Sequence, residues 1–230
     1  ILYGELMSLI TERYDYKEIK RKQIDGKRLY ACPDGNAVAS VTTILDKTKD
    51  KTHLIAWRKR VGEQKAQEIT TEAANRGTRM HTYLEHYMLH DDMKPLPGNP
   101  FAHPSWFMAA EVILQGLCHV NEFWGAEVPV YYSGLYAGTT DCLGVWKGRP
   151  AIMDFKQTNK PKKREWIDDY FVQLCAYAEA HNEVYGSNIQ EGHIFMCSRD
   201  LNYQQFDLEA SHYDYYLNKW LERVEQFYKL

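Results

Sequence analysis

Asp141, Asp154 and Lys156 are the residues of this 230-residue chain whose types and spacing point most directly to chemistry. The aspartates lie thirteen positions apart, and a turn-forming Lys147-Gly148 sits midway between them. If those two residues are the loop of a β-hairpin, paired positions sum to 295 and Asp141 faces Asp154. Directly opposed residues share a face, with Cβ atoms about 4.5–5.5 Å apart. Strand alternation adds Lys156 to that face and sends Met153 and Phe155 into the core. Two carboxylates that close do not both stay ionised without a neutralising cation. Oxygen donors of this kind suit Mg²⁺ or Mn²⁺, and a neighbouring ammonium can orient a water or stabilise charge on a phosphate under attack. A lone D-x-K also occurs as a structural ion triad, so other residues have to decide.

His81 alone reads more readily as a hydrogen-bonded, partly buried histidine than as a ligand, and its surroundings have to alter that balance. The string His81-Thr-Tyr-Leu-Glu85-His86 does not make a zinc-protease helix, because its histidines are five apart, about 140° around the helix, and cannot face one ion. Gln173 and Tyr177 lie at i and i+4 of a helical stretch and share a face. They fit a core tyrosine beside a polar neighbour, or a support that holds the lysine or a DNA strand, since buried amide and phenol groups need partners.

The elements that must position these residues follow from turn chemistry and periodicity. Asp25-Gly26 between Tyr16–Ile24 and Lys27–Ala31 signals a type I′ hairpin, and Pro33-Asp34-Gly35-Asn36 a second turn. This gives a small N-terminal β element (1–52), with Ser40–Leu45 leading out of it. Helical spacing covers His53 to about Gln67 and Thr71–His90, and after a Pro- and Gly-rich break a helix from Ser105 to Phe123. The helical region 53–123 carries His81. The basic cluster Trp57–Arg60 reads as a solvated helix face ahead of a nucleic-acid contact. Ala126–Tyr132, Gly134–Trp146 and Arg149–Gln157 read as three strands. A basic linker, Thr158–Arg164, precedes a helix over Glu165–Tyr185 stopped by Gly186, then strands at Gly192–Ser198 and Tyr203–Leu208 and a closing helix at Ser211–Tyr228. The expected fold class is α/β, a central mixed sheet flanked by helices, in a single domain whose catalytic core spans 124–230.

Composition narrows the function classes. With 44% hydrophobic and 13% aromatic residues the chain can bury a core as one domain. No apolar run reaches the length of a membrane span, and the start lacks the order of a signal peptide; the absent initial Met suggests a processed or trimmed chain. Five scattered cysteines without a C-x-x-C suggest a reduced, intracellular protein. A balance of 28 basic against 31 acidic residues is unlike a protein that coats duplex DNA, so any nucleic-acid contact must be local. No Walker A loop is present, so neither ATP nor a motor is expected.

Gly138-Thr-Thr-Asp141, Ile152-Met-Asp154-Phe-Lys156 and Gln173-x-x-x-Tyr177, preceded by Arg76-Gly77-x-x-x-His81, together resemble the RecB-type branch of the PD-(D/E)XK nuclease superfamily. Within it the likeness is nearest to the mitochondrial genome maintenance exonucleases and related phage exonucleases. Ser40–Leu45, Asn159-Lys-Pro-Lys162 and Tyr216-x-x-x-Trp220 fit as well, so the resemblance runs from about residue 28 to the end. It implies a restriction-endonuclease-like core, with His81, Asp141, Asp154 and the Phe155 carbonyl as metal ligands, Lys156 as catalytic lysine, and Gln173 and Tyr177 as the supporting motif. Glu127 resembles an acidic position found in parts of the branch, and the helical insert would by analogy arch over a threaded strand. The chain departs from the pattern after the lysine, where Gln157 stands in place of a frequent threonine. Iron–sulfur members of the branch use clustered cysteines, which this chain lacks, so no cluster is expected.

The combined expectation is a Mg²⁺- or Mn²⁺-dependent deoxyribonuclease acting from free ends of single-stranded DNA. Lys160, Lys162, Lys163 and Arg76 would meet phosphates, with Trp166 stacking on bases. Replication or recombination proteins are the expected partners, and the expected place is the cytoplasm of a bacterium or phage-infected cell, or a mitochondrion. A structure-selective endonuclease on the same fold and a catalytically silent nucleic-acid-binding module stand as alternatives.

Overall fold

The computed structural model describes residues 8–24 and 27–230. Strands β1 (Lys20–Ile24), β2 (Lys27–Ala31) and β3 (Ala37–Val38) form a small antiparallel sheet in that order. Ile24 pairs with Lys27, while the Asp25-Gly26 turn itself lies outside the described residues. The second turn closes with Gly35 N–H donating to Cys32 O (3.0 Å).

Helix α1 (Val41–Thr48) follows at once, where the sequence suggested only a lead-in. Its β-branched residues disguise it. Ser40 Oγ accepts from Thr43 N–H (3.0 Å), an N-cap, and Val41, Ile44 and Leu45 recur at helical spacing and are buried. Helix α2 (Thr52–Val61) buries none of its side chains. It gives way to α3 (Glu63–His90) at Gly62, whose φ of 86° breaks the helix, so the boundary falls earlier than the expected gap after Gln67. Helix α4 (His103–Gln115) also stops short of the expected Phe123. The chain at Gly116 presses on β-sheet residues, where an added Cβ would lie 2.8 Å from Tyr203 Oη and 2.9 Å from the Phe195 ring. A short 3₁₀ turn leads into β4 (Val120–Tyr132), which therefore starts six residues before the expected Ala126.

Lys147 and Gly148 take left-handed backbone angles (φ 46° and 83°), as a type I′ turn requires. They join β5 (Tyr136–Trp146) to β6 (Arg149–Thr158), paired from Trp146↔Arg149 to Cys142↔Met153 in the register that sums to 295. A 3₁₀ turn (Arg164–Trp166) precedes α5 (Asp168–Tyr185), which ends at Gly186 with φ 64°. Strands β7 (Glu191–Ser198) and β8 (Tyr203–Leu208) and helix α6 (Ala210–Tyr228) complete the chain.

The main sheet runs β4-β5-β6-β7-β8, antiparallel except for the parallel β6–β7 pair that α5 connects. Both faces are covered. Leu143, Ile152 and Ile194 meet side chains of α1, α5 and α6, including Ile44, Phe171 and Trp220. Met153, Phe155 and Phe195 meet Met80, Leu84 and Met88 of α3 and Met108 and Val112 of α4. The fold is thus the expected α/β arrangement with a mixed central sheet between helices and a small second sheet. Among the described residues no helix is long and apolar enough to cross a membrane.

Candidate metal centre and active site

The β5–β6 ladder ends one step before Asp141 and Asp154. There the Asp141 side chain takes over, with Oδ2 accepting the Phe155 N–H (2.7 Å), so its carboxylate is wedged against β6. Asp141 and Asp154 are both buried. Lys156 Nζ lies 2.6 Å from Asp154 Oδ2 as an ion pair outside the alignment of a hydrogen bond, and among the described residues that buried oxygen has no other partner. The ammonium instead donates to Gln173 Oε1 (3.2 Å) and lies 4.9 Å from the Tyr170 ring centre. Gln173 Nε2 in turn donates to Tyr177 Oη (3.1 Å). Tyr177 can lie there because Gly138 has no side chain: a Cβ would stand 2.6 Å from Tyr177 Cε1. Gly138, Asp141, Asp154, Lys156, Gln173 and Tyr177 therefore form one chain of contacts on the α5 side of the sheet.

His81 arrives from α3 on the opposite side. One ring nitrogen, Nε2, is 2.9 Å from Phe155 O, and Nδ1 is 3.4 Å from Asp141 Oδ1 and 3.6 Å from Glu127 Oε1. Glu127 lies in β4 between the pairs Ala126↔Cys142 and Val128↔Thr140, opposite Asp141 in an unshifted register, with φ 50°. A left-handed glutamate inside a strand is uncommon and re-aims the side chain. Ligand atoms of His81, Glu127 and Asp141 lie within 4.8 Å of one another. Sequence reasoning grouped His81 with both aspartates; this geometry draws Glu127 into the cluster while Asp154 turns to Lys156.

A cleft of about 480 Å³ faces His81 and Glu127 and is lined also by Arg21, Gly77, Thr78, Thr82 and Glu85. Arg21 was missed by sequence reasoning, since only the packing of β1 brings it there; Glu85 carried a signal as the residue one turn after His81. Of the residues expected to bind substrate, Lys160, Lys163 and Trp166 are exposed and Lys162 is half-buried. Their linker is pinned, with Thr158 Oγ1 donating to Lys160 O (2.8 Å), and Gln204 accepting from Lys162 N (2.7 Å) and donating to its carbonyl (2.9 Å). Lys163 Nζ lies 5.4 Å from the Trp166 ring centre. Arg76 is buried, with its guanidinium engaged inside the chain.

No family model matches the chain. It is 27% identical over 210 residues to mitochondrial genome maintenance exonuclease 1 of Xenopus tropicalis, covering 84% of this chain and 58% of that protein. The human protein of the same name is 26% identical over 207 residues, again covering 84% and 58%. The chain thus spans somewhat less than three-fifths of the length of these curated relatives. Among solved structures, a candidate exonuclease from Eubacterium rectale superposes with a TM-score of 0.46 at 12% identity, over 67% of this chain and 64% of that one; a likeness this low carries no argument.

The electrostatics of the site are those of unbalanced acid. Burial works against a charged His81, yet the Asp141 carboxylate and Glu127 outweigh it and raise the imidazole to about 10. Burial, with the charge of Asp141 behind it, pushes Asp154 up to about 6 despite Lys156. Asp141 is buried too, but His81, Lys156 and the Phe155 N–H hold it below the usual carboxylate range. Lys156 is raised because Asp154 and Asp141 more than offset its own burial. Three carboxylates thus meet two cationic side chains, and a ligating His81 must be neutral, which leaves a formal deficit of two positive charges. A divalent cation matches that deficit and a donor set of carboxylates, one imidazole and one carbonyl.

Proposed function

We propose that the chain is a divalent-metal-dependent deoxyribonuclease that hydrolyses phosphodiester bonds from the ends of single-stranded DNA. The observation that carries this reading is the convergence of His81, Glu127, Asp141, Asp154 and Lys156, from one helix and three strands, on a site with a twofold deficit of positive charge. The name of the relatives, exonuclease, supports the reaction class and the end requirement.

In this reading His81, Asp141, Asp154 and the Phe155 carbonyl hold Mg²⁺ or Mn²⁺, and Glu127 stands within reach as a further acid. The ion, when bound, supplies Lewis acidity toward the scissile phosphate and lowers the pKa of an attacking water. Lys156 holds a proton firmly and is therefore a fixed positive charge beside the phosphate, not a base. Gln173 fixes the position of that ammonium, and Tyr177 fixes Gln173, so the lysine need not reorganise as charge develops. The pinned linker offers Lys160, Lys162 and Lys163 to phosphates and Trp166 to a base, a local track that agrees with the near-neutral overall charge.

The test is cleavage of linear and of closed circular single-stranded DNA in Mg²⁺, Mn²⁺ and chelator. Degradation of the linear strand alone, only with metal, is the expected outcome. Cutting of the circle would replace the exonuclease reading with an endonuclease, and inertness toward both in every metal would leave a binding module.

A further inference from the structure

Arg76 precedes His81 by five residues on α3 and is only 4% exposed. Its guanidinium donates in three directions: Nε to Gln157 Oε1 (2.9 Å), Nη1 to Glu72 Oε1 (3.3 Å) and Nη2 to Asn159 Oδ1. Two of these acceptors belong to β6 and the residue just beyond it, immediately after Lys156. Gly77 lets the helix sit this close, since a Cβ there would already be 3.2 Å from Gln157 Cγ. Ser105 Oγ donates to the Arg76 carbonyl (3.1 Å) and ties α4 to the same point.

The spacing of these contacts matches that of His81. Five helical residues advance about 7.5 Å. Two strand residues, from Gln157 back to Phe155, span about 6.7 Å. Helix and strand thus run side by side in opposite directions; five residues also turn the helix by about 140°, and the long Arg76 side chain spans that turn to reach Gln157 while the His81 imidazole meets the Phe155 carbonyl. A slip of one residue would rotate His81 by about 100° away from Asp141. A buried guanidinium is costly without its acceptors, so the register is held firmly.

We propose that Arg76 is a positioning residue of the metal centre: it clamps α3 to β6 through Gln157 and Asn159 and so sets the place of His81, rather than binding DNA. This rests on the metal-centre reading given above.

The experiment measures Mn²⁺ affinity by calorimetry without DNA, single-stranded DNA affinity in chelator, and kcat and KM, for the full chain and for Arg76→Gln and Gln157→Leu. Mn²⁺ affinity and kcat should fall about 10–100-fold in Arg76→Gln, the range typical of groups that orient metal ligands. DNA affinity in chelator and KM should stay within about twofold. Gln157→Leu, which keeps the arginine and its charge, should move Mn²⁺ affinity in the same direction by a smaller factor, and it carries the test if Arg76→Gln does not fold. Unchanged Mn²⁺ affinity in the folded variants, or a loss confined to DNA affinity and KM, overturns the proposal while leaving the nuclease reading in place. Failure of the unsubstituted chain to bind Mn²⁺ or to cleave with it would instead remove that reading itself.

Discussion

His81 on α3 is partly buried and His181 on α5 fully so, and their surroundings drive the two histidines in opposite directions. Carboxylates of Asp141 and Glu127 surround His81 and raise it to about 10 against the pull of burial. His181 is fully buried, with the rings of Tyr14 and Tyr185 at 4.8 and 4.9 Å, and burial alone lowers it to about 4. Its hydrogen bonds are complete in the neutral form. Ser187 Oγ donates to Asn182 Oδ1 (2.7 Å), so His181 Nδ1 must donate to Ser187 (2.7 Å) and Nε2 must accept from Tyr16 Oη (3.1 Å). Burial does not make a histidine functional. What distinguishes His81 is an unbalanced set of acids that a cation would complete.

The widest separation between the two regions is expected from the partners of His81. Asp141→Asn, Asp154→Asn and Lys156→Ala should each lower cleavage by about a thousandfold or more, since in the proposed reading each removes a charge that holds the metal or faces the reacting phosphate. The fold should survive. Matched circular-dichroism spectra with near-normal cleavage in any of the three would dissolve the active-site assignment.

Substituting the histidines themselves comes next in size. His81→Ala should cut cleavage in Mg²⁺ by about 10–100-fold, with Mn²⁺ restoring more than Ca²⁺ does, because Mn²⁺ tolerates altered coordination and Ca²⁺ prefers longer bonds and more ligands. His181→Ala should instead cost about 2–4 kcal/mol of stability by emptying a packed site, with activity per folded molecule unchanged. If both variants lose only stability, or both lose only activity, the contrast between the regions is wrong.

How much of each region was legible in the sequence follows from what holds it. The α5 side of the site was largely readable, because a two-residue turn at Lys147-Gly148 sets the β5–β6 register and an i, i+4 spacing puts Gln173 beside Tyr177. Local rules suffice there. The α3 side was not, since the position of Glu127 depends on a left-handed residue within β4, and that of Arg21 on how a separate small sheet packs. Neither leaves a periodic trace. Boundaries failed for a related reason: helical spacing continues past Gly116, but contact with Tyr203 and Phe195 ends the helix. The Tyr14–His181–Tyr185 cluster joins residues more than 160 positions apart and was invisible to any window.

Acid should weaken the fold through His181, against an opposite contribution from Asp154, whose folded pKa of about 6 lies above the ordinary carboxylate value. The folded pKa of His181 lies below the unfolded value near 6.5, so as the pH falls the unfolded chain takes up the proton first. The stabilisation is complete above pH 6.5, declines between 6.5 and about 4, and is flat below, a loss of roughly 3 kcal/mol at about 1.4 kcal/mol per unit. Urea unfolding of the unsubstituted chain and of His181→Phe over that interval should give slopes that differ by this amount, since the Asp154 contribution is common to both and cancels in the difference. Equal slopes would mean that His181 is already charged or titrates freely, and the aromatic cluster would no longer stand as the neutral counterpart of the metal centre.

The exposed lysines of the linker set the lower limit of the comparison, where charge is neither buried nor paired into a site. Single-stranded DNA held without turnover in Ca²⁺ should weaken with salt by a slope of about −0.7 per phosphate neutralised. Replacing Lys160, Lys162 and Lys163 with Ala should reduce that slope by up to about 2, with only a modest loss of affinity at moderate salt. Mn²⁺ affinity in the absence of DNA should not change, because the linker is anchored by Thr158 and Gln204 through backbone atoms that these substitutions leave in place. A salt slope unaltered in the triple variant would move the DNA track off this linker, with the solvated Trp57–Arg60 stretch of α2 as the next surface to test. A fall in Mn²⁺ affinity would show instead that the linker charges are coupled to the centre, and that the division into buried acid and exposed base is too sharp.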